Sequence, residues 1–328
     1  MKRLIPVFLS LIFLFGCTPK PYEAQLYAMD TTIALRLYGE NARETAAAVS
    51  QEISKLEGEL SVTRQDSQVY ALNQGQTVTP SPHLQELLTR TLAISQRTGG
   101  ALDPTICPIV TLWGFTTGSY HIPTQEEIDA ALSKTGQAHI LRKDGTLSLS
   151  GGCMLDFGAV AKGYCGDLCR RIVEKSGGAA FLALGGNIQT VGEKPDGTPW
   201  SIGITNPRAV EQISASLTVT GTKSIVTSGD YQRYFEQDGK RYCHIMDPKT
   251  GACADTDLIS VTIVADSGLL ADGLSTALFV MGTEQALAFW RESQDFEAVL
   301  IQKDGAILVT EGLQDSFFCA GNYQVIAR

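Results

Sequence analysis

Apolar and polar positions change their spacing several times along this chain. From Gln25 to Leu37 they largely alternate, with β-branched residues among them, which predicts a strand. From Asn41 to Glu59, Ala, Ile and Leu return at helical spacing, and Asn41 followed by Glu44 predicts a capping box. Pro82 to Thr98 reads as a second helix, stopped by Gly99-Gly100. Thr124 and Glu127 cap a short helix through Leu132. Next come a strand at Thr146–Leu149, a helix at Gly158–Lys175 and an apolar strand at Phe181–Leu184. Strands at Trp200–Ile204 and Ser214–Val219 precede a hairpin over Tyr231–Ile245 that turns at Asp238-Gly239. Leu258–Val264 is a strand, Ser267–Met281 an apolar helix and Glu284–Glu292 a further helix. A last hairpin pairs Val299–Ile301 with Ile307–Val309 around Asp304-Gly305. Strands and helices mix without a strict β-α-β beat, so the expected class is α+β with largely antiparallel sheets and packed helices.

The first residues follow a different pattern. Lys2 and Arg3 precede an apolar run from Leu4 to Phe15, too short to span a bilayer comfortably and typical of a signal peptide. The run ends in Leu14-Phe15-Gly16-Cys17, which resembles a bacterial lipobox, with Phe15 bulkier than usual. The expected organisation is a lipoprotein signal peptide over residues 1–16, a lipidated tether over 17–23 and one folded domain over 24–328. Two acyl chains on Cys17 would hold that domain at a membrane surface outside the cytoplasm.

Composition narrows the class. With 44% hydrophobic and 19% charged residues the chain can bury a core. A net charge of −9 argues against nucleic acid as a partner, because a phosphate backbone calls for a basic surface. The cysteines after Cys17 show no C-x-x-C and no zinc spacing, and Cys165 and Cys169 sit too close along one helix for a good bridge. They read as small buried hydrophobes.

Three segments carry chemistry. In Ala271-Asp272-Gly273-Leu274-Ser275-Thr276, Asp272 and Thr276 share a helix face. A carboxylate on so apolar a helix needs a partner, and one carboxylate with one hydroxyl suits magnesium, which takes water and phosphate as its other ligands. The same two residues also suit a helix cap and a local backbone bond. In Leu155 to Tyr164 a glycine-containing turn enters a helix, where free N–H groups attract phosphate and Lys162 adds a point charge; an ordinary helix start reads the same way. The third segment runs from Thr227 to Gly251. Its His244 lies beside Asp247 and among polar groups, placed for proton transfer near neutral pH, while Asp247-Pro248 and Thr250-Gly251 are also common turn pairs.

Together these segments resemble the ApbE family, the FAD:protein FMN transferases. The resemblance is carried in order by Ala28-Met29-Asp30-Thr31, Leu56 to Asn73, Gly100 to Thr105, Leu112-Trp113-Gly114-Phe115, Leu155 to Tyr164, Leu184-Gly185-Gly186-Asn187, Thr227 to Phe235, His244 to Gly251 and Ala271 to Gly282. It spans about residues 25 to 310.

The resemblance implies an ApbE-like fold and a Mg2+ ion held by Asp272, Thr276 and the backbone carbonyl of Ala159, with Ser275 assisting. It puts Asp156 and Lys162 at bound FAD, and lines the flavin-nucleotide pocket with Met29, Ala101, Leu102, Asp103 and Met246. Lys162 and Asp272 would serve the reaction, and His244 would be the general base. The reaction implied is attack of a threonine or serine hydroxyl on the FMN phosphorus of FAD, with AMP leaving. FAD is then a substrate. The partners implied are acceptor flavoprotein subunits of exported or membrane redox complexes. One position departs from the pattern: Thr63 stands where many relatives carry an aromatic residue near the flavin. If water enters there, the alternative is an FAD pyrophosphatase giving free FMN and AMP. A non-catalytic FAD-binding lipoprotein is the remaining alternative.

Overall fold

The structure is a computed structural model that describes residues 20–328. The signal peptide and Cys17 lie outside the described residues. Nine strands form one sheet, and they lie side by side in the order they occur in the chain. These are Tyr22–Ala28, Thr31–Tyr38, Ala179–Leu184, Asn187–Val191, Lys223–Gly229, Leu258–Ala265, Phe296–Gln302, Ile307–Thr310 and Gln324–Ile326. Every neighbouring pair is antiparallel except the last, which is parallel. The fold is thus α+β with a large, mostly antiparallel sheet, as the mixed pattern of elements implied.

The described residues also form seven α-helices, several of them packed on one face of the sheet. They are α1 (Ala42–Leu60), α2 (Gln68–Asn73), α3 (Pro82–Arg97), α4 (Cys107–Leu112), α5 (Gln125–Leu132), α6 (Ala161–Lys175) and α7 (Gly268–Glu292). The main core lies between α1, α3, α6, α7 and this face. The other face is covered by a three-stranded sheet of Trp200–Asn206, Ala209–Val219 and Phe317–Cys319, through Trp200, Ile202 and Leu217. Covered on both sides, the Leu258–Ala265 strand is buried at every position, which explains a mainly apolar, β-branched sequence interrupted only by Ser260 and Thr262. A smaller core forms around Ile109, Trp113, Phe115 and Met246 beside the Tyr234–Gln237 and Lys240–Cys243 hairpin. Among the described residues no helix is long and apolar enough to cross a membrane.

Several elements differ from expectation. The run from Gln25 to Leu37 is a hairpin whose turn, Met29-Asp30, has φ of 52° and 57°. Asn41 makes no side-chain capping bond, whereas the Thr124–Glu127 capping box forms in full. The Gly158 helix starts at Ala161, so residues 158–160 remain a turn. The two helices expected over 267–292 run on as α7, broken at Gly282 (φ 75°, ψ 173°), a conformation suited to glycine.

The start of α7 is fixed by α6. The Asp167 carboxylate accepts from the Gly268 N–H at 2.6 Å, the Leu269 N–H at 3.2 Å and the Ser267 hydroxyl at 2.9 Å. It satisfies donors that a helix start leaves orphaned, and its negative charge faces the positive end of the helix dipole. Asp167→Ala is expected to cost about 2 kcal/mol, since buried N–H groups lose their acceptor. Urea denaturation measures this.

Candidate active site

The site begins where α6 crosses α7. A Cβ on Gly163 would lie 2.1 Å from the Gly268 carbonyl oxygen and 2.6 Å from Asp272 Cβ, so only glycine permits this approach. At that contact the Gly163 N–H donates to Asp272 Oδ2 at 2.8 Å. In a regular helix it would donate four residues back, to the Ala159 carbonyl. Among the described residues no hydrogen bond ends on the Ala159 oxygen, and none of ordinary geometry ends on Asp272 Oδ1. The sequence therefore leaves a bare carbonyl and a bare carboxylate oxygen at one helix start.

Asp272 is 4% exposed. Burial pushes its carboxyl above the usual carboxylate range, opposed by the Lys162 charge, the Gly163 N–H and Asn187. Asn187 is buried too; it lies near enough to favour the carboxylate, yet its Nδ2 makes no hydrogen bond of ordinary geometry. One turn along α7, Ser275 is fully buried and donates to the Asp272 carbonyl at 2.8 Å. Ser228, on the adjoining Lys223–Gly229 strand, lies 2.8 Å from the Ser275 hydroxyl and 3.4 Å from that of Thr276. Thr276 keeps partial solvent contact, whereas Ser275 has none.

These donors suit one kind of cation. A carboxylate, a hydroxyl and a backbone carbonyl are hard oxygen ligands, too few for a calcium cage and right for magnesium with water and phosphate completing the shell. Among the described residues no three His, Cys, Asp or Glu side chains gather in a way that could hold a metal, which excludes a zinc-type centre there.

Beside this start lie the charged groups. Lys162, the second residue of α6, reaches the Gly158 carbonyl at 3.4 Å. Asp156 accepts from the Gly158 N–H at 2.6 Å, and its own N–H donates to the Pro104 carbonyl at 2.8 Å. Asp156 keeps partial solvent contact as a residue, while burial of its carboxyl pushes that group above the usual carboxylate range, opposed by the Gly158 N–H and the Arg233 and Lys162 charges. His244 follows the second strand of the hairpin. Its Nδ1 is 3.1 Å from the Arg233 carbonyl, and its N–H donates to the same oxygen at 3.0 Å. A carbonyl only accepts, so Nδ1 carries the proton and Nε2 offers a lone pair. Burial, then the Arg233 and Lys162 charges, push the imidazole down to about 4. At neutral pH it is unprotonated, as a proton acceptor must be. Asp247 does not orient it: its carboxylate takes the Lys249 N–H and the Thr250 hydroxyl, which is turn chemistry.

The sequence profile of the ApbE family matches residues 29–300. The chain belongs to the ApbE family. An FAD:protein FMN transferase of Klebsiella pneumoniae is 36% identical over 319 residues, covering 93% of this chain and 97% of that one. One from Escherichia coli K12 is 31% identical over 323 residues, covering 90% of each. The ApbE protein of Thermotoga maritima superposes with a TM-score of 0.84 at 32% identity, over 90% of this chain and 99% of that one. The Pseudomonas stutzeri flavinyl transferase ApbE gives 0.81 at 31% identity, over 93% and 98%. The activity of this ApbE-family chain is FAD:protein FMN transfer.

The remaining expected pocket residues come from several separate elements. Asp103 holds the Thr105 N–H at 2.8 Å and its hydroxyl at 2.6 Å, and Ile106 bridges Met154, which brings the Gly100–Thr105 segment beside Asp156. Ala101 and Leu102 are buried in the main core and Met246 in the small one. Met29 sits at the tip of its hairpin, its N–H donating to Glu57 Oε1 at 2.7 Å. Thr63 lies on the exposed turn after α1, its hydroxyl 3.2 Å from that of Ser61. The two turns adjoin through Glu57, whose other oxygen is 4.0 Å from Arg64 Nη1. Sequence reasoning left out Asn187, Ser228 and Arg233 as site residues. All three fall inside the ApbE-like segments, which was the available signal.

Proposed function

We propose that this chain transfers FMN from FAD to a threonine or serine hydroxyl of an exported or membrane flavoprotein, in a Mg2+-dependent displacement at phosphorus. The observation that carries the reading is the diversion of the Gly163 N–H to Asp272, which leaves the Ala159 oxygen free beside Lys162. Asp272, Thr276 and the Ala159 carbonyl would hold the ion, which supplies positive charge to the diphosphate oxygens. Lys162 adds a second positive charge as the bridging oxygen takes up electrons. His244 Nε2 accepts the hydroxyl proton while the hydroxyl oxygen bonds to the FMN phosphorus. The bond from that phosphorus to the bridging oxygen breaks, and AMP departs with the electron pair. Met29, Ala101, Leu102, Asp103, Asp156 and Met246 line the nucleotide. We place the domain at the outer face of a membrane through acylated Cys17, a modification that mass spectrometry of the mature N-terminus reads directly.

The test uses purified protein with FAD, Mg2+ and a threonine-containing candidate acceptor. Flavin fluorescence should co-migrate with the acceptor, with one AMP released per acceptor labelled. Free FMN and AMP with an unlabelled acceptor would replace this reading with hydrolysis, to which the exposed Thr63 turn points. FAD left intact would indicate simple binding. His244→Asn is expected to slow transfer by about 100-fold, the lower end of what a general base contributes, with FAD affinity retained.

A further inference from the structure

We propose that Arg233 is a positioning residue for His244: its backbone carbonyl fixes the imidazole tautomer, and its guanidinium holds a positive charge toward the ring. This rests on the reading of His244 as the base. The guanidinium is moored rather than free, since Nη2 donates to the Phe115 carbonyl at 2.6 Å. Phe115 in turn brings its ring to 6.4 Å from the imidazole. One arginine therefore ties the connection that carries His244 to the loop after α4 that covers it.

Among the described residues Arg233 has no carboxylate within ion-pair distance, although most arginines of this acidic chain do. Its charge is left to act on the groups around it, Asp156 and His244. The charged groups facing the imidazole are Arg233, preceding it in the hairpin, and Lys162 from α6; the loop after α4 adds only the uncharged Phe115 ring. Both cations disfavour the imidazolium, and the bond to the Arg233 carbonyl favours it. Removing the guanidinium leaves the carbonyl in place, so the tautomer persists while the imidazole gains a proton more readily. An unprotonated base is then lost at a higher pH. A purely architectural arginine would change stability or rate equally at all pH values.

The test is an NMR titration of His244 in the full-length protein, alongside the pH dependence of kcat/KM for FMN transfer. The chain has four histidines, and the signal missing from His244→Asn assigns the one of interest. Arg233→Gln is expected to raise the His244 titration point by about one pH unit, and the acid limb of kcat/KM with it. Arg233→Lys, which keeps the charge but not the planar fork, should shift both by less than half as much. An unchanged His244 titration in Arg233→Gln would overturn the proposal. If Arg233→Gln does not fold, a shift in Arg233→Lys as large as the one expected for loss of the charge would overturn it instead. If His244→Asn keeps the acid limb, the base assignment fails, while the NMR shift still reports on Arg233.

Discussion

Asp272→Ala is expected to slow FMN transfer by about 1000-fold or more at saturating Mg2+, the several kcal/mol of charge stabilisation that a metal supplies to a transferring phosphoryl group. Two losses coincide. The anionic ligand disappears, and the Gly163 N–H, deprived of Asp272 Oδ2, is free to return to the Ala159 carbonyl four residues back. The variant would then spend its main-chain ligand on an ordinary helical bond. Asp272→Asn separates the two effects, because the amide oxygen still accepts from Gly163 while the charge is gone. Initial rates with calorimetric Mg2+ titration decide the matter. Wild-type transfer in Asp272→Ala, with the ion still bound, would refute the site assignment.

Gly163→Ala should have the largest effect on stability, about 3 kcal/mol or more, at the upper end of what overpacking costs. The added methyl has no flexible side chain to push aside: it meets the Gly268 carbonyl and Asp272 Cβ, both on α7. The helices must separate, which also stretches the bonds from Asp167 to the start of α7. Urea unfolding should show a lower midpoint at unchanged slope, with weaker Mg2+ binding in whatever remains folded. An alanine variant as stable as the parent would mean that α6 and α7 do not touch in this way.

Much of the fold was legible because its strands and helices obey simple periods. Leu258 to Val264 is mostly apolar and β-branched, with only Ser260 and Thr262 polar, and lies inside the sheet. Asp238-Gly239 turns the hairpin as such a pair should. The misses have physical causes. Met29-Asp30 makes a turn without glycine, so alternation ran across it unbroken. The Asn187–Val191 and Lys223–Gly229 strands escaped notice because they bury polar side chains. Gln189 and Ser224 satisfy one another across the pair, and Thr190 bonds to the Gly221 carbonyl at 2.9 Å, so sequences that look loop-like sit inside the sheet. At the site, the shared face of Asp272 and Thr276 followed from helical spacing. The bare Ala159 oxygen did not, since it depends on where one distant N–H points. Arg233 escaped because its contribution to His244 comes partly through its main chain, which carries no side-chain signature.

The sheet's strand order also bears on how the chain acquires its structure. From Ala179 onward each strand of the large sheet pairs with the previous one as soon as it is made, so this part can zip up in order of synthesis. The first hairpin has no such neighbour. Thr31–Tyr38 must wait for Ala179–Leu184, with the whole segment from Gly39 to Gly178 closed as a loop between them. Such closure is entropically costly and slow compared with local pairing. The Met29 turn would then be the first part of the pocket to emerge, with its hairpin joining the large sheet only once Ala179–Leu184 is made, which gives the folding chain a separate, slower step at which that side of the nucleotide pocket is completed.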